Sequence, residues 1–386
     1  MQSVLLLLGA FGFSWMLNKI LLRYSHNFGV ESRQNQTNFV RWSSTIKPTT
    51  GGISFYMTFL IGALVLMVLM PVEVGSSSRI LALILSATLA FMIGFADDAY
   101  GTHPGLKFLG QIGCGVILIS FGIHIHFFSL DNPDLIILDY MLTVMWVVGL
   151  MNSLNMLDNM DGVTTTIATT LLMSTLLMLT WREGLSELFY VLIVIMGGFT
   201  GFLMWNWKPA KIYMGDTGSM FIGLVVSFLG ILYFWNIPAS PDNVSHIRKM
   251  VIPLIVFLVP IMDTTFVTFA RLARKTSPFV GGKDHLTHQM ARIGIPEYLV
   301  PVTLGLVSLI SGLLAFFAYT LIPEWSDIHT ALFTAYPVIV FVLFTMLYRK
   351  GADIARQREA EELQNQPAEA ESQDVRVTPV ISTSTH

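Results

Sequence analysis

Charge is scarce in this sequence. Asp, Glu, Lys and Arg make up 12% of its residues, about half the ~25% usual in soluble domains. With 53% of the chain hydrophobic, a string of water-soluble domains is excluded, and repeated membrane crossing becomes the first reading. Cysteine is nearly absent: Cys114 stands alone in an apolar stretch. No disulfide can form within the chain, and the thiol reads as a small buried group. The net charge is −3 with no basic block and no basic–aromatic interleaving, which excludes a nucleic-acid face. The first 22 residues have no leading Lys or Arg and no small-x-small cleavage pattern, so they read as a retained span and not a signal peptide. Neither a solenoid-period repeat nor an inverted repeat of the transporter kind is visible.

What is present is a series of apolar stretches. A bilayer core needs about 20 apolar residues per helix, and lipid leaves backbone groups no partner but their own helix. Eleven stretches qualify, near 2–22, 51–71, 80–96, 108–126, 135–151, 163–181, 187–205, 218–235, 250–269, 299–320 and 330–348. The expected fold is an all-α, polytopic membrane bundle of about eleven transmembrane helices, ten being the alternative count. Placing the N-terminus outside leaves only Arg79, Arg182, Arg248 and Lys249 of the 22 Lys and Arg on the outer side, as the positive-inside rule requires. The C-terminus is then cytoplasmic. Residues 1–348 form the membrane domain with cytoplasmic loops. Residues 349–386 turn polar and acidic, and are expected to begin as a helix and end disordered.

Ionisable groups at span ends are costly to bury and tend to mark function. Four clusters fall on the inner side of this topology. In Gly94-Phe-Ala-Asp97-Asp98-Ala-Tyr-Gly101, adjacent carboxylates repel unless a cation or proton is shared; the plain alternative is a solvated helix end. In Asn152-Ser-Leu-Asn155-Met-Leu-Asp158-Asn-Met-Asp161-Gly162 the polar residues recur every three positions. Such neighbours share a helix face, but each step rotates about 60° backwards. One end of the set can meet a ligand while the other meets a second helix. Asn suits a base or sugar amide and carboxylates suit a hard metal; the alternative is interhelical bonding.

The third cluster, Lys211-Ile-Tyr213-Met-Gly215-Asp216-Thr-Gly-Ser219, sets glycines around an aspartate where a span begins. Close backbone approach is possible there, and a helix start favours phosphate, although Asp216 or Thr217 could simply be an N-cap. The fourth is the loop from Arg271 to Arg292, with His285 and His288, which could bind metal or phosphate or merely face anionic lipid. Lys47 and Lys107 add cations on the same side. Carboxylates balanced by cations at headgroup depth suit Mg²⁺ and phosphates.

At these residues the chain resembles a known family. Lys-Pro-Thr-Thr-Gly-Gly-Ile from Lys47, the Asp97-Asp98 pair, the Asn155/Asp158/Asp161 run, the Gly215-Asp216-Thr-Gly motif and the stretch from Asp263 through Arg271 to His288 occur in the order found in the polyprenyl-phosphate N-acetylhexosamine-1-phosphate transferases, glycosyltransferase family 4. The resemblance covers residues 47–288 and looks nearest to the bacterial undecaprenyl-phosphate N-acetylglucosamine-1-phosphate transferases. It implies catalytic roles for Asp97, Asp98, Asp158 and Asp161, and a Mg²⁺ site (Mn²⁺ as substitute) at Asp216 with Asp98. It also implies substrate contacts from Lys47, Lys107, Asn152, Asn155, Tyr213 (on uracil), Arg271, His285 and His288. The implied partners are a UDP-N-acetylhexosamine, polyprenyl (undecaprenyl) phosphate and membrane lipids, with a homodimer as one arrangement. The implied setting is a bacterial inner membrane with a cytoplasmic site.

Departures from the family pattern are Thr287-His288, where many members have two consecutive histidines, and the position of Gly282, near which many members carry an acidic residue. The histidine triplet of the muramoyl-pentapeptide transferases is also missing, which argues against their donor. The alternative from another class is a secondary transporter. Transporters hold their sites near the midplane, whereas these acids cluster at span ends.

Overall fold

A computed structural model of the chain describes residues 1–24, 47–70, 74–129, 132–237, 246–276, 282 and 284–365. Arg33, Arg41 and Lys283, three of the basic residues expected inside, lie outside the described residues, as does the chain from residue 366 on.

The described chain folds into helices with no strand among them: α1 (Gln2–Tyr24), α2 (Gly51–Leu69), α3 (Val74–Tyr100), α4 (Pro104–Ser120), α5 (Ile136–Leu157), α6 (Val163–Glu183), α7 (Glu187–Asn206), α8 (Gly215–Gly230), α9 (His246–Val256), α10 (Leu258–Ala273), α11 (Leu286–Arg292), α12 (Val300–Leu321) and α13 (Asp327–Asn365). Among the described residues nine of these are long and apolar enough to cross a membrane, and the bent pair α9–α10 makes a tenth. The protein is a polytopic helical membrane protein; the count among the described residues is nine to ten against the eleven expected, because α4, in place of the fourth expected span, is a shorter apolar helix of 17 residues.

Two spans differ from expectation. The fourth, expected over 108–126, starts earlier and stops at Ser120. His103 caps its start by accepting from Gly105 N at 3.1 Å, and Gly122, with φ +75°, ends it in a conformation other residues avoid. The ninth is not one straight helix: α9 and α10 meet at 79°. Pro260 lies in the first turn of α10 and has no N–H to continue the ladder of α9, which breaks the helix just before it. Past residue 348 the polar extension continues α13, whose Gly351 sits against Gln289 of α11 so closely that a Cβ would lie 2.7 Å from that side chain.

The core of the bundle is α8. Its span Gly215–Trp235, which closes in a π-helical turn, has 94% of its central window buried, whereas α1 and α13 turn broad apolar faces outward. Without a hydrophobic drive between helices in lipid, close packing depends on small residues. A Cβ on Gly94 of α3 would fall 2.3 Å from the Asp216 carbonyl oxygen, so α3 can lie against the start of α8 only because that residue is glycine.

Polar groups segregate to the two ends of the bundle. At one end Arg79 pairs with Glu183 at 3.2 Å, Arg182 donates to the Leu232 carbonyl, Arg248 to the Ala318 carbonyl and Lys249 to the His126 carbonyl. These are the four basic residues that the charge pattern set apart. The four acidic and basic motifs lie at the opposite end, about 33 Å away along α5 at 1.5 Å per residue.

Candidate active site

The C-terminus of α3, the start of α4, the C-terminus of α5 and the N-terminus of α8 meet at this second end. Consecutive residues on a helix point about 100° apart, and this separates the two adjacent aspartates. Asp97 turns toward α4. Its carboxylate accepts from Thr102 Oγ1 at 2.5 Å and from Lys107 Nζ at 3.2 Å. Asp98 turns toward α8 and accepts from Asp216 N (3.0 Å), Thr217 N (2.8 Å) and Thr217 Oγ1 (2.6 Å). It supplies from a neighbouring helix the cap that the first turn of α8 needs for its open N–H groups. The positive φ of Gly215, +69°, brings those groups round to Asp98; a Cβ there would lie 2.5 Å from the carboxylate.

Lys107 also pairs with Asp216. One ammonium is therefore shared by carboxylates from two helices, Asp97 and Asp216. Asn155 donates its amide to Asp216 Oδ1 and to Ser219 Oγ, both at 2.8 Å, fixing the rotamer of the carboxylate. Asn152, one turn earlier, makes a reciprocal amide pair with Gln111 of α4 (2.8 and 3.2 Å). Asn155 thus belongs to the cluster and Asn152 to the joint between α4 and α5.

The spacing suggests one helix for the whole polar run, but α5 ends at Leu157. Asp158 is its half-buried C-cap. Asp161 lies in the following turn, closed by Gly162 at φ +76°. Asp161 is buried and accepts from Ala210 N at 3.0 Å, with Lys208 Nζ at 3.7 Å. It holds the segment between α7 and α8 in place. Burial pushes the Lys208 ammonium down, but Glu297 and Asp161 outweigh that and hold it above its ordinary value. Tyr213 is half-buried on the same segment. Its backbone bonds to Pro48 and Gly51, and Lys47 Nζ lies 5.1 Å from its ring centroid, so Lys47 and Tyr213 form one cation–π unit.

A second cluster forms around α11. Arg271 and His288 are buried. Asp284 pairs with Arg274 at 2.7 Å and Arg271 at 3.5 Å. Burial pushes its carboxyl up, yet the two arginines win and keep it below the usual carboxylate range. His285 bonds through Nδ1 to Asp263 Oδ2 at 2.9 Å. The His285 and His288 rings are 6.0 Å apart, and Thr287 Oγ1 donates to Asn159 Oδ1 at 2.5 Å, tying this cluster to the end of α5.

Asp263 and Asn159 were not among the candidate site residues read from the sequence, and Thr217 was read only as a possible N-cap. Asp263 had a signal of its own, an acid inside an otherwise apolar run. Thr217 and Asn159 acquire their roles only through partners distant in sequence.

The arrangement suits anionic ligands bound with a hard cation. Asp97 and Asp216 offer oxygen donors on two helices already drawn toward one positive charge. One further group, His124, His126 and Asp139, brings ligand atoms within 4.8 Å of one another, but at the other end of the bundle. There Asp139 already accepts from Phe127 N, Phe128 N, Ser129 N and Ser129 Oγ, which accounts for its lone pairs, and Lys249 stands beside it.

Residues 80–234 match the family model for "Glycosyl transferase family 4". The chain is 28% identical over 301 residues to the "Probable undecaprenyl-phosphate N-acetylglucosaminyl 1-phosphate transferase" of Bacillus subtilis, covering 77% of this chain and 79% of that protein. It is 27% identical to the "Decaprenyl-phosphate N-acetylglucosaminephosphotransferase" of Mycolicibacterium smegmatis, with 80% of each chain covered. A "Phospho-N-acetylmuramoyl-pentapeptide-transferase" of Staphylococcus saprophyticus is 29% identical over 69% of this chain and 83% of its own.

Proposed function

We propose that the chain is a member of glycosyl transferase family 4, the family its residues 80–234 match, and that it transfers N-acetylglucosamine 1-phosphate from UDP-N-acetylglucosamine to undecaprenyl phosphate and releases UMP. The reaction would begin a cell-envelope polysaccharide at the cytoplasmic face of a bacterial inner membrane. The observation that carries this reading is the convergence of Asp97, Asp216 and Lys107 at the ends of spans. A soluble nucleotide and a lipid phosphate can meet only at that depth. The names of two relatives, which pair a polyprenyl phosphate with N-acetylglucosamine, support the same substrates here.

The bond that forms joins an oxygen of the lipid phosphate to the β-phosphorus of the donor. The bond that breaks is the one between that phosphorus and the oxygen leaving with UMP. The acceptor arrives as an anion, so no strong base is needed, and direct attack is preferred to an aspartyl-phosphate route. Asp97 and Lys107 orient the acceptor phosphate, Lys107 offsetting charge that two approaching anions would otherwise oppose. Asp216 and Asp97 are the residues fitted to hold Mg²⁺, as hard donors from separate helices already gathered about one cation. When bound, Mg²⁺ supplies charge neutralisation at the donor diphosphate. Asp98 is spent on the first turn of α8 and so acts on Asp216 through the backbone. Asn155 steers the Asp216 side chain. The Tyr213–Lys47 unit offers a ring for uracil with a cation beside it, and Arg271, His285 and His288 face the sugar and diphosphate.

The test is transfer by purified protein in detergent, given undecaprenyl phosphate and radiolabelled UDP-N-acetylglucosamine with and without Mg²⁺. Mg²⁺-dependent label in the lipid phase with release of UMP is expected. Label only with a different UDP-sugar would change the donor, and no transfer from any nucleotide sugar by folded protein would overturn the reading.

A further inference from the structure

An ionised carboxylate inside a membrane helix is expensive and is retained for a reason. Asp263 lies in α10, 1% exposed, and among the described residues its one ion-pairing partner is His285. Its two oxygens hold two consecutive residues: Oδ2 meets His285 Nδ1 at 2.9 Å, and Oδ1 accepts from Leu286 N at 2.8 Å. The ring and the backbone that carries it are thus fixed by one side chain. The next residue, Thr287, is held from α5 through Asn159. The two supporting helices are themselves joined, since Ser153 donates to the Pro260 carbonyl and Thr264 donates to Ser153, both at 2.8 Å. A neutral asparagine would suffice to accept from Leu286 N. A charged carboxylate is required only by the imidazole.

We propose that Asp263 is a positioning residue for the transfer step: it places the proton of His285 on Nδ1 and locks the ring, so that Nε2 is the nitrogen presented to the donor diphosphate. An ionised carboxylate only accepts hydrogen bonds, so a ring nitrogen 2.9 Å from it carries hydrogen. The other nitrogen then meets substrate in a single, defined state, the arrangement by which a carboxylate orients a working histidine in metal sites and catalytic triads. The role of Nε2 rests on the transferase reading; the Asp263–His285 pairing does not.

Two measurements test the proposal. In the transfer assay, Asp263→Asn is expected to lower kcat by about 10- to 100-fold, the loss that follows removal of a carboxylate orienting a histidine. KM for UDP-N-acetylglucosamine should change by no more than about threefold, and His285→Ala should lose a similar factor in kcat. Because Asp263 acts through His285, the double variant should be no slower than His285→Ala alone, within about twofold. Losses that multiply, or an Asp263→Asn enzyme of normal kcat, would overturn the proposal. The second measurement is ¹⁵N NMR of histidine-labelled wild-type protein, with the His285 signals assigned by their disappearance in His285→Ala. Protonated Nδ1 is expected, and a bare Nδ1 refutes the proposal whatever the turnover. If Nδ1 is protonated but the wild type transfers no sugar phosphate, the pairing stands and the transferase reading is the one that falls.

Discussion

Truncating the two adjacent aspartates one at a time should give proteins that fail in different ways. Asp98→Ala removes the acceptor of two main-chain N–H groups and one hydroxyl at the start of α8. Hydrogen bonds to a charged group contribute roughly 1.5–3 kcal/mol each, and such terms are not additive. With the site half-buried and open to some water, about 3–5 kcal/mol in total is reasonable. Unfolding entropy of roughly 2 cal/mol/K per residue over 386 residues gives about 0.8 kcal/mol per degree, so Tm should fall by about 4–6 °C. Asp97→Ala leaves Lys107 with Asp216 and Thr102 within reach of water, a change of about 1 kcal/mol or less and under about 2 °C. The assay is thermal unfolding in detergent followed by tryptophan fluorescence, both variants at one scan rate, beside the transfer assay. Both should lose transfer and only Asp98→Ala should lose stability. Equal drops in Tm, or an Asp98→Ala midpoint that does not move, would refute the assignment of Asp98 to the cap of α8.

Asp216→Asn is expected to abolish turnover while keeping Tm within about 2 °C, since an amide can still bond to Asn155; normal activity would remove Asp216 from the site. Asn152→Ala should cost about 1–2 kcal/mol by leaving the Gln111 amide oxygen without its donor, and a thermal-stability cycle with Gln111→Ala should show coupling. Independent effects would mean that the amide pair does not join α4 to α5. Asp284 is held below its ordinary value, so the stability it contributes is fully present above the usual carboxylate range and is lost as pH falls through the lower folded value. Asp284→Asn should therefore melt below wild type at neutral pH and equal it in acid; a gap that persists in strong acid would rule out the ion pair as its source.

Much of this architecture was legible in the residues. Apolar runs located ten of the eleven expected spans, because lipid forces each backbone to satisfy itself locally, and Arg79, Arg182, Arg248 and Lys249 fell together at one end. What stayed hidden were roles set by a third body. Asp97 and Asp98 are identical in type and adjacent in sequence, and only the presence of α4 on one side and α8 on the other tells them apart. Asn152 and Asn155 share a helix face in projection, yet the 60° drift delivers one to Gln111 and the other to Asp216. The end of α5 was missed for a related reason: periodicity continued through Asp158 and Asp161, while the helix stops at Leu157 and Asp158 leaves the helical conformation at ψ 55°. Asp263 was visible as the acid that opens the resembling stretch, but nothing local named His285 as its partner.

The burial of α8 bears on which parts of the bundle can vary. A helix with 94% of its central window buried meets protein on nearly every side, so a change of side-chain volume there is felt by several neighbouring helices at once. The outward apolar faces of α1 and α13 can exchange one apolar residue for another at little cost, so tolerance to substitution should fall steeply from the rim of the bundle to its centre.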